Sequence, residues 1–287
     1  MESIQKLAIP IAIVIAGALI ASALYLASIG RGPSGSSKET ATATIELRGL
    51  QENDHIRGSA DASVVMVEFS DSECPFCKVF DSTAKQVMEK YGGDGKVAWV
   101  YRYFPIPSLH PKAPKEAEAL ECAAELGGNE MFWKYADKVY MNTTSNNSLD
   151  IGVYNNPATA PINPATGQPY YAQKTPRSAT DAGQLSDFAV ELGIEKESFE
   201  ECLASGRNIP RIETDVAEAG NSGGSGTPYI VFISKEKMPS DARSYLDSLI
   251  PTVGANTFVI SKDGKRVSMS GALPFNYIDQ LIELILD

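Results

Sequence analysis

Cys74-Pro75-Phe76-Cys77, inside the stretch FSDSECPFCKVF (69–80), sets two thiols at the spacing of a redox pair or of half a metal site. A thiolate, not a thiol, attacks a disulfide, so the chemistry turns on which sulfur can ionise. Cys74 falls where an apolar run ends and a helical pattern begins, and the unpaired N–H groups and dipole at a helix start favour negative charge. A fall of about three units from a free pKa near 8.5 would favour the thiolate by roughly 4 kcal/mol and make the disulfide a better oxidant. Pro75 suits the first helical turn, where no N–H is needed from it. Cys77, nearly one turn on, points back towards Cys74 and is expected to be buried, which suits a resolving thiol.

A metal reading needs two further ligands at comparable spacing. The chain has 4 cysteines and 2 histidines, no second CxxC, and His55 and His110 each stand alone. Structural zinc sites draw paired ligands from two short motifs, so redox chemistry is preferred here, with no metal and no cofactor beyond the cysteine pair. His110, just before Pro111, reads as a residue of a loop or helix start.

Elements of defined kind must position these thiols. VVMVEFS (64–70) is short, rich in β-branched residues and nearly continuously apolar, as expected of a strand buried on both faces. FCKVFDSTAKQVMEKY (76–91) sets Phe76, Val79, Phe80, Thr83, Val87 and Tyr91 at helical spacing, and GGDG then stops the helix. KVAWVYRYF (96–104) alternates as a second strand, so the three elements predict a βαβ unit with a right-handed parallel crossover.

Two amphipathic helices follow within 112–141, separated by Gly127-Gly128, with Phe132 and Trp133 as packing anchors. Residues 142–180 are rich in Asn, Pro, Thr and Gly and read as a long loop. Helical patterns over 181–192, 196–205 and 209–220 precede NSGGSG; then come a strand (228–234), a hairpin turning at Asp263-Gly264 within 256–270, and a last helix (275–286). The whole predicts an α/β domain with helices inserted midway.

At 287 residues the chain can build a core that needs no stapling, so disulfides are optional for folding. Its 36 acidic against 25 basic residues give a net charge of -11, which argues against nucleic acid as a partner. After a short tail (1–6), residues 7–27 carry no charge and are long enough, as a helix, to span a bilayer. A cleaved signal remains an alternative, with Ala21-Ser22-Ala23 as a conceivable cleavage site. The flanking charges, Lys6 before and Arg31 and Lys38 after, do not decide the orientation. Residues 28–52, opening with a Gly/Ser/Thr-rich stretch, are expected to be a linker, and 53–287 the folded domain.

The segments NDHIRGSADASVVMVEFSDSECPFCKVF, YFPIPSLHPKAPKEAEALECAAE, NEMFWKYADKVY, GTPYIVF and GALPFNYIDQLI occur in this order, and together they resemble the membrane-tethered or exported DsbA-like thiol-disulfide oxidoreductases. The resemblance covers most of 53–287 and implies a thioredoxin fold with a helical insertion at about 108–222, preceded by a transmembrane helix. It implies that Cys74 attacks and Cys77 resolves, that Pro228 is a cis-proline facing them, and that Thr227 offers backbone groups to a bound substrate strand, an ordinary turn at Gly226-Thr227-Pro228 being the alternative. Glu68 matches the family's acid beneath the site, a proton acceptor for Cys77; from pattern alone it could equally be an exposed strand carboxylate. Phe76 stands where some relatives carry histidine and supplies neither positive charge nor an N–H to the thiolate. That departure bears on the potential, and the step from DsbA at about -120 mV to thioredoxin at about -270 mV, roughly 7 kcal/mol, is too wide for the motif to settle.

By the same resemblance Cys122 and Cys202 are candidates for a second, non-catalytic disulfide, two buried free thiols being the alternative. KEKMPSDARSYLDSLIPTVGA (235–255) departs from the family pattern as an added segment without a functional account. The expected activity is disulfide formation in reduced or unfolded extracytoplasmic proteins. The N-terminus would be cytoplasmic and the domain outside, and reoxidation would come from a membrane quinone-linked partner of the DsbB or VKOR type. A disulfide reductase or isomerase on the same fold, or a tethered metal- or substrate-binding module, are the alternatives.

Overall fold

A computed structural model describes residues 39–142 and 183–287 of the chain. VVMVEFS forms strand β3 (Val64–Ser70), buried at every position. It lies parallel to β4 (Val97–Tyr103), with Val64 opposite Val97, and antiparallel to β5 (Tyr229–Ser234), with Glu68 opposite Ile230. A strand flanked on both sides and covered on both faces has no surface for a polar stripe, which explains its continuous apolar run. The crossover from β3 to β4 is helix α1 (Pro75–Tyr91), whose Cys77, Phe80, Ala84, Val87 and Tyr91 form one buried stripe.

Among the described residues the sheet has seven strands, in the order β1 (Ala41–Ala43), β6 (Phe258–Ser261), β7 (Arg266–Ser270), β5, β3, β4, β2 (His55–Arg57). Successive side chains of a strand point to opposite faces, so the pleat sorts the core into two layers. Val64 and Met66, with Trp99, Tyr101, Ile230 and Phe232, pack on the face covered by α1 and by α7 (Phe275–Leu286). Val65, Val67 and Phe69, with Val100 and Val231, pack on the other face against Ile45 and Ala219. Glu68 and Ser70 share the parity of Met66, and the register therefore places both on the α1 side.

The insertion comprises α2 (Ala113–Asn142), α3 (Gln184–Glu191), α4 (Lys196–Ser205) and α5 (Ile209–Asn221). Helix α2 breaks at Gly128, whose φ of 73° glycine alone adopts without strain, so the two expected helices meet end to end. Phe132 and Trp133 are indeed packing anchors: Phe132 stacks on His55 at 3.6 Å and Trp133 lies 4.7 Å from Trp99. Cys122 of α2 and Cys202 of α4 are joined as a disulfide. At the sheet margin, the Asn129 side chain accepts from the Ile56 N–H at 3.1 Å and donates to the Ile56 carbonyl at 2.7 Å.

One expectation needs correction. The linker does not extend to residue 52: Ala41–Ala43 pair with β6, and Ile45, only 2% exposed, covers one face of the sheet. Arg48 is fixed by ion pairs to Asp54, Asp215 and Glu218, which ties this segment to α5. The added segment 235–255 is chiefly a helix, α6 (Ser240–Val253), whose Ala242, Leu246, Leu249 and Ile250 are buried. Pro239 at its start and Pro251 in its last turn obscure that apolar spacing in the sequence. The expected anchor (7–27) and nearly all of the long loop (142–180) lie outside the described residues. Among those described, no helix is long and apolar enough to cross a membrane.

Candidate active site

The site forms where β3 hands over to α1. Cys74 is the N-cap of α1, with extended backbone (φ -74°, ψ 121°), and Pro75 opens the first turn. The Cys74 carbonyl accepts from Lys78 N at 3.1 Å, and the Cys74 N–H donates to the Asp71 carbonyl at 3.1 Å, which locks the sulfur at the helix start. Both thiols are reduced and buried, Cys74 at 5% exposure and Cys77 at 0%.

The two sulfurs have opposite electrostatics. Cys74 is lowered to about 6, first by the hydrogen bond from the Cys77 thiol, against the cost of burial, and then by Thr227 and the N–H groups of Cys77 and Phe76. Burial, followed by the neighbouring Cys74 thiolate, pushes Cys77 well above the ordinary thiol range. The pair therefore holds one thiolate and one thiol at neutral pH, the outer sulfur carrying the charge. Facing it, the Thr227–Pro228 peptide is cis, and the Thr227 carbonyl oxygen lies 3.5 Å from Cys74 Sγ.

Beneath the pair, Glu68 is 1% exposed. The reading of Glu68 as an exposed strand carboxylate is thereby excluded, because β3 is an interior strand, flanked by β5 and β4, and position 68 faces α1. Its carboxyl accepts from Ser70 Oγ at 2.7 Å and Trp99 Nε1 at 2.9 Å. Burial raises its pKa to about 8, with the Asp81 charge adding to the rise and the Ser70 and Trp99 hydrogen bonds opposing it.

The sequence offered no strong signal for several residues around these. Asp71 accepts from His110 Nδ1 and from Ile106 N, each at 2.8 Å, and its own N–H points at Cys77 Sγ, 3.4 Å away. His110 lies in the loop just before α2, as expected, and it is also held there: its pKa is raised, chiefly by the hydrogen bond to Asp71 and against its burial, with the Cys74 charge contributing. The bond joins residues 39 apart, which a lone histidine before a proline does not announce. Ser72 Oγ donates to Glu116 of α2 at 2.6 Å, so the loop between β3 and α1 is braced by the insertion. Burial, then the charge of Glu73, pushes Glu116 well above the usual carboxyl range. Phe76 is 63% exposed and Val79, three residues on, 56%, so the helix's first turn shows an apolar surface to solvent. Among the described residues no His, Cys, Asp and Glu side chains are grouped as metal ligands.

A family model described as "Thioredoxin" matches residues 50–250. Among solved structures, DsbA2 of Pseudomonas aeruginosa superposes with a TM-score of 0.52 at 20% identity over 82% of this chain and 96% of its own. Oxidised BdbD of Bacillus subtilis gives 0.53 at 17% identity, over 86% and 98%. At such identities the likeness is one of fold, and it extends to the helical insertion within the α/β frame. Among curated proteins, a Na(+)/H(+) antiporter NhaA 3 of Salinispora tropica is 29% identical over 62% of this chain, which spans only 21% of that relative's length.

Proposed function

Because the chain belongs to this thioredoxin family and has the DsbA-like fold, we propose that it is a thiol-disulfide oxidoreductase that donates a Cys74–Cys77 disulfide to reduced proteins outside the cytoplasm. The observation that carries this reading is the contrast between the two sulfurs, about 6 for Cys74 and far higher for buried Cys77. A substrate thiolate attacks Cys74 and Cys77 leaves; a second substrate thiolate then attacks the substrate sulfur of the mixed disulfide and expels Cys74. A group that ionises near 6 is a good leaving thiolate at neutral pH, so the second step favours release of oxidised product. Glu68 serves as proton partner for Cys77, and the carbonyl of Thr227 beside Pro228 offers an acceptor for the backbone of an extended substrate.

Residues 7–27 would tether this domain to a membrane with the N-terminus cytoplasmic, within reach of a quinone-linked reoxidase of the DsbB or VKOR type. The match to the antiporter involves about a fifth of that protein, 21%, so transport is not carried over. The test is equilibration with glutathione buffers, together with oxidation of a reduced peptide by wild type and by Cys74→Ser. A potential on the oxidising side and loss of peptide oxidation in the variant are expected. Rapid oxidation by Cys74→Ser would overturn the mechanism, and a potential near that of thioredoxin would turn the direction to reduction.

A further inference from the structure

Cys77, Glu68 and Ser70 are all buried, at 0%, 1% and 1% exposure. When Cys77 leaves as a thiolate it must gain a proton where solvent is not at hand, and when it attacks it must lose one. The pleat puts Ser70 beside Glu68 on the α1 face of β3, and the Ser70 hydroxyl bonds Glu68 Oε1 at 2.7 Å. The same hydroxyl also interacts with the Cys77 sulfur and favours its thiolate. Tyr140 OH, from the end of α2, lies 2.8 Å from Ser70 Oγ and 3.2 Å from Tyr101 OH. An indole N–H can only donate, and Trp99 Nε1 occupies Glu68 Oε2 at 2.9 Å, so the acidic proton of neutral Glu68 sits on Oε1, the oxygen facing Ser70.

We propose that Ser70 is a catalytic proton relay between Glu68 and Cys77, with Trp99 and Tyr140 as positioning residues that fix its direction. The inference rests on the oxidoreductase reading above. With Glu68 neutral, its O–H donates to Ser70 and the Ser70 O–H turns to Cys77. A substrate thiolate forms a bond to Cys74 Sγ, the Cys74–Cys77 bond breaks, and the electron pair stays on Cys77. Ser70 passes its proton to that sulfur while taking the proton of Glu68. One thiolate has been consumed and one carboxylate formed, so charge balances. Once a second substrate thiolate closes the product disulfide and expels Cys74, the two cysteines hold the two electrons that the substrate thiols gave up. In the reverse step the Glu68 carboxylate takes the Cys77 proton by the same route. Hydroxyl chains of this kind polarise one another, and a positioned acid of matched pKa contributes about 10²–10⁴-fold.

The groups that bear on this pH dependence are Cys74, Cys77 and Asp81 of α1 or its cap, Tyr101 of β4 and Tyr140 of α2. Burial holds both tyrosines well above their usual range, so neither titrates near neutrality.

Stopped-flow measurement of mixed-disulfide formation between the oxidised full chain and a cysteine peptide, corrected for peptide ionisation, tests the relay. Wild type is expected to be fast at low pH and to slow as Glu68, its carboxyl raised by burial, loses its proton. Ser70→Ala is expected to be about tenfold or more slower at neutral pH and to lack that fall, Ser70→Thr to recover both, and Glu68→Gln with Ser70→Ala to be no slower than Glu68→Gln alone. An unshifted Cys74 titration in reduced Ser70→Ala shows that the fold and nucleophile are intact. A Ser70→Ala rate equal to wild type, or a slower rate that keeps the same fall with pH, overturns the relay. If wild type itself forms no mixed disulfide, it is the oxidoreductase reading that fails.

Discussion

Cys74 Sγ lies 3.5 Å from the carbonyl oxygen of Thr227, so the sulfur and the peptide before Pro228 form one surface although 153 residues separate them. A substrate strand laid along that peptide would bring its own sulfur onto Cys74. The sulfur's low pKa makes the first expectation direct. Thiolate absorbance of the reduced protein should rise with a midpoint of about 6, be lost in Cys74→Ser, and show no second step in the same range from Cys77.

The same shifts fix how stability of the reduced protein changes with pH. Between about 6 and 9 the unfolded chain still holds the Cys74 proton while the folded protein has released it, so the Cys74 contribution grows with pH across that window and is lost as pH falls through about 6. Glu68 acts oppositely: the folded protein keeps its proton up to about 8 while the unfolded chain releases it near 4.5, so its contribution declines across that interval. Denaturant titrations should show a wild type minus Cys74→Ser difference that increases from pH 6 to 9, and Glu68→Gln should remove the decline.

Phe76, at 63% exposure, lends no charge to the thiolate from inside the dipeptide. Phe76→His is therefore expected to lower the Cys74 pKa further and raise the potential, each tenfold change in the thiol-disulfide equilibrium being about 30 mV. Glutathione equilibration of the two proteins would check the sign, and an unchanged or lower potential would count against an electrostatic role for this position.

Cys122 and Cys202 are 80 residues apart, so their bridge removes freedom from the unfolded chain worth at most about 4–5 kcal/mol. Cys122→Ala with Cys202→Ala should lower unfolding stability by up to that amount while leaving the Cys74 titration in place, which chemical denaturation and absorbance would report together.

Arg102 is fully buried and donates to Asp54 at 2.9 Å and to Glu218 at 3.0 Å. Burial would raise Asp54, yet the hydrogen bond and charge of Arg102 hold it below the usual carboxylate range. Arg102→Ala leaves those carboxylates to Arg48 alone, which lies 3.4 Å from Asp54 and also pairs with Glu218, and a loss of up to about 3–5 kcal/mol in denaturant unfolding is expected. Restoration by a further Asp54→Asn change would show that the unpaired charge, not the lost volume, is responsible.

How far the sequence could be read follows the range of the interactions. β3 and α1 are legible because apolar spacing is local, and Cys74 with Cys77 because their chemistry depends on a three-residue interval. Pro228 is legible through resemblance. The burial of Glu68 is a matter of register: its environment depends on which strands flank position 68, and alternation within VVMVEFS is hidden because both faces are covered. Ser70 and Tyr140, or Asp71 and His110, meet only after the helical insertion and the loop before it fold back on the sheet. Strand β1 is hidden for the opposite reason: three small residues, Ala41, Thr42 and Ala43, have little pattern, and their pairing with β6 is imposed by the partner strand.

An open sheet margin offers unpaired main chain to any extended segment that meets it. Among the described residues both outermost strands are only three residues long, and at one of them the amide of Asn129 fills the outward N–H and carbonyl of Ile56 as a neighbouring peptide would. The margin at Ile56 thus offers no template for cross-strand pairing, and, on the function proposed above, the main-chain acceptor at Thr227 would remain for a substrate beside the reactive sulfur.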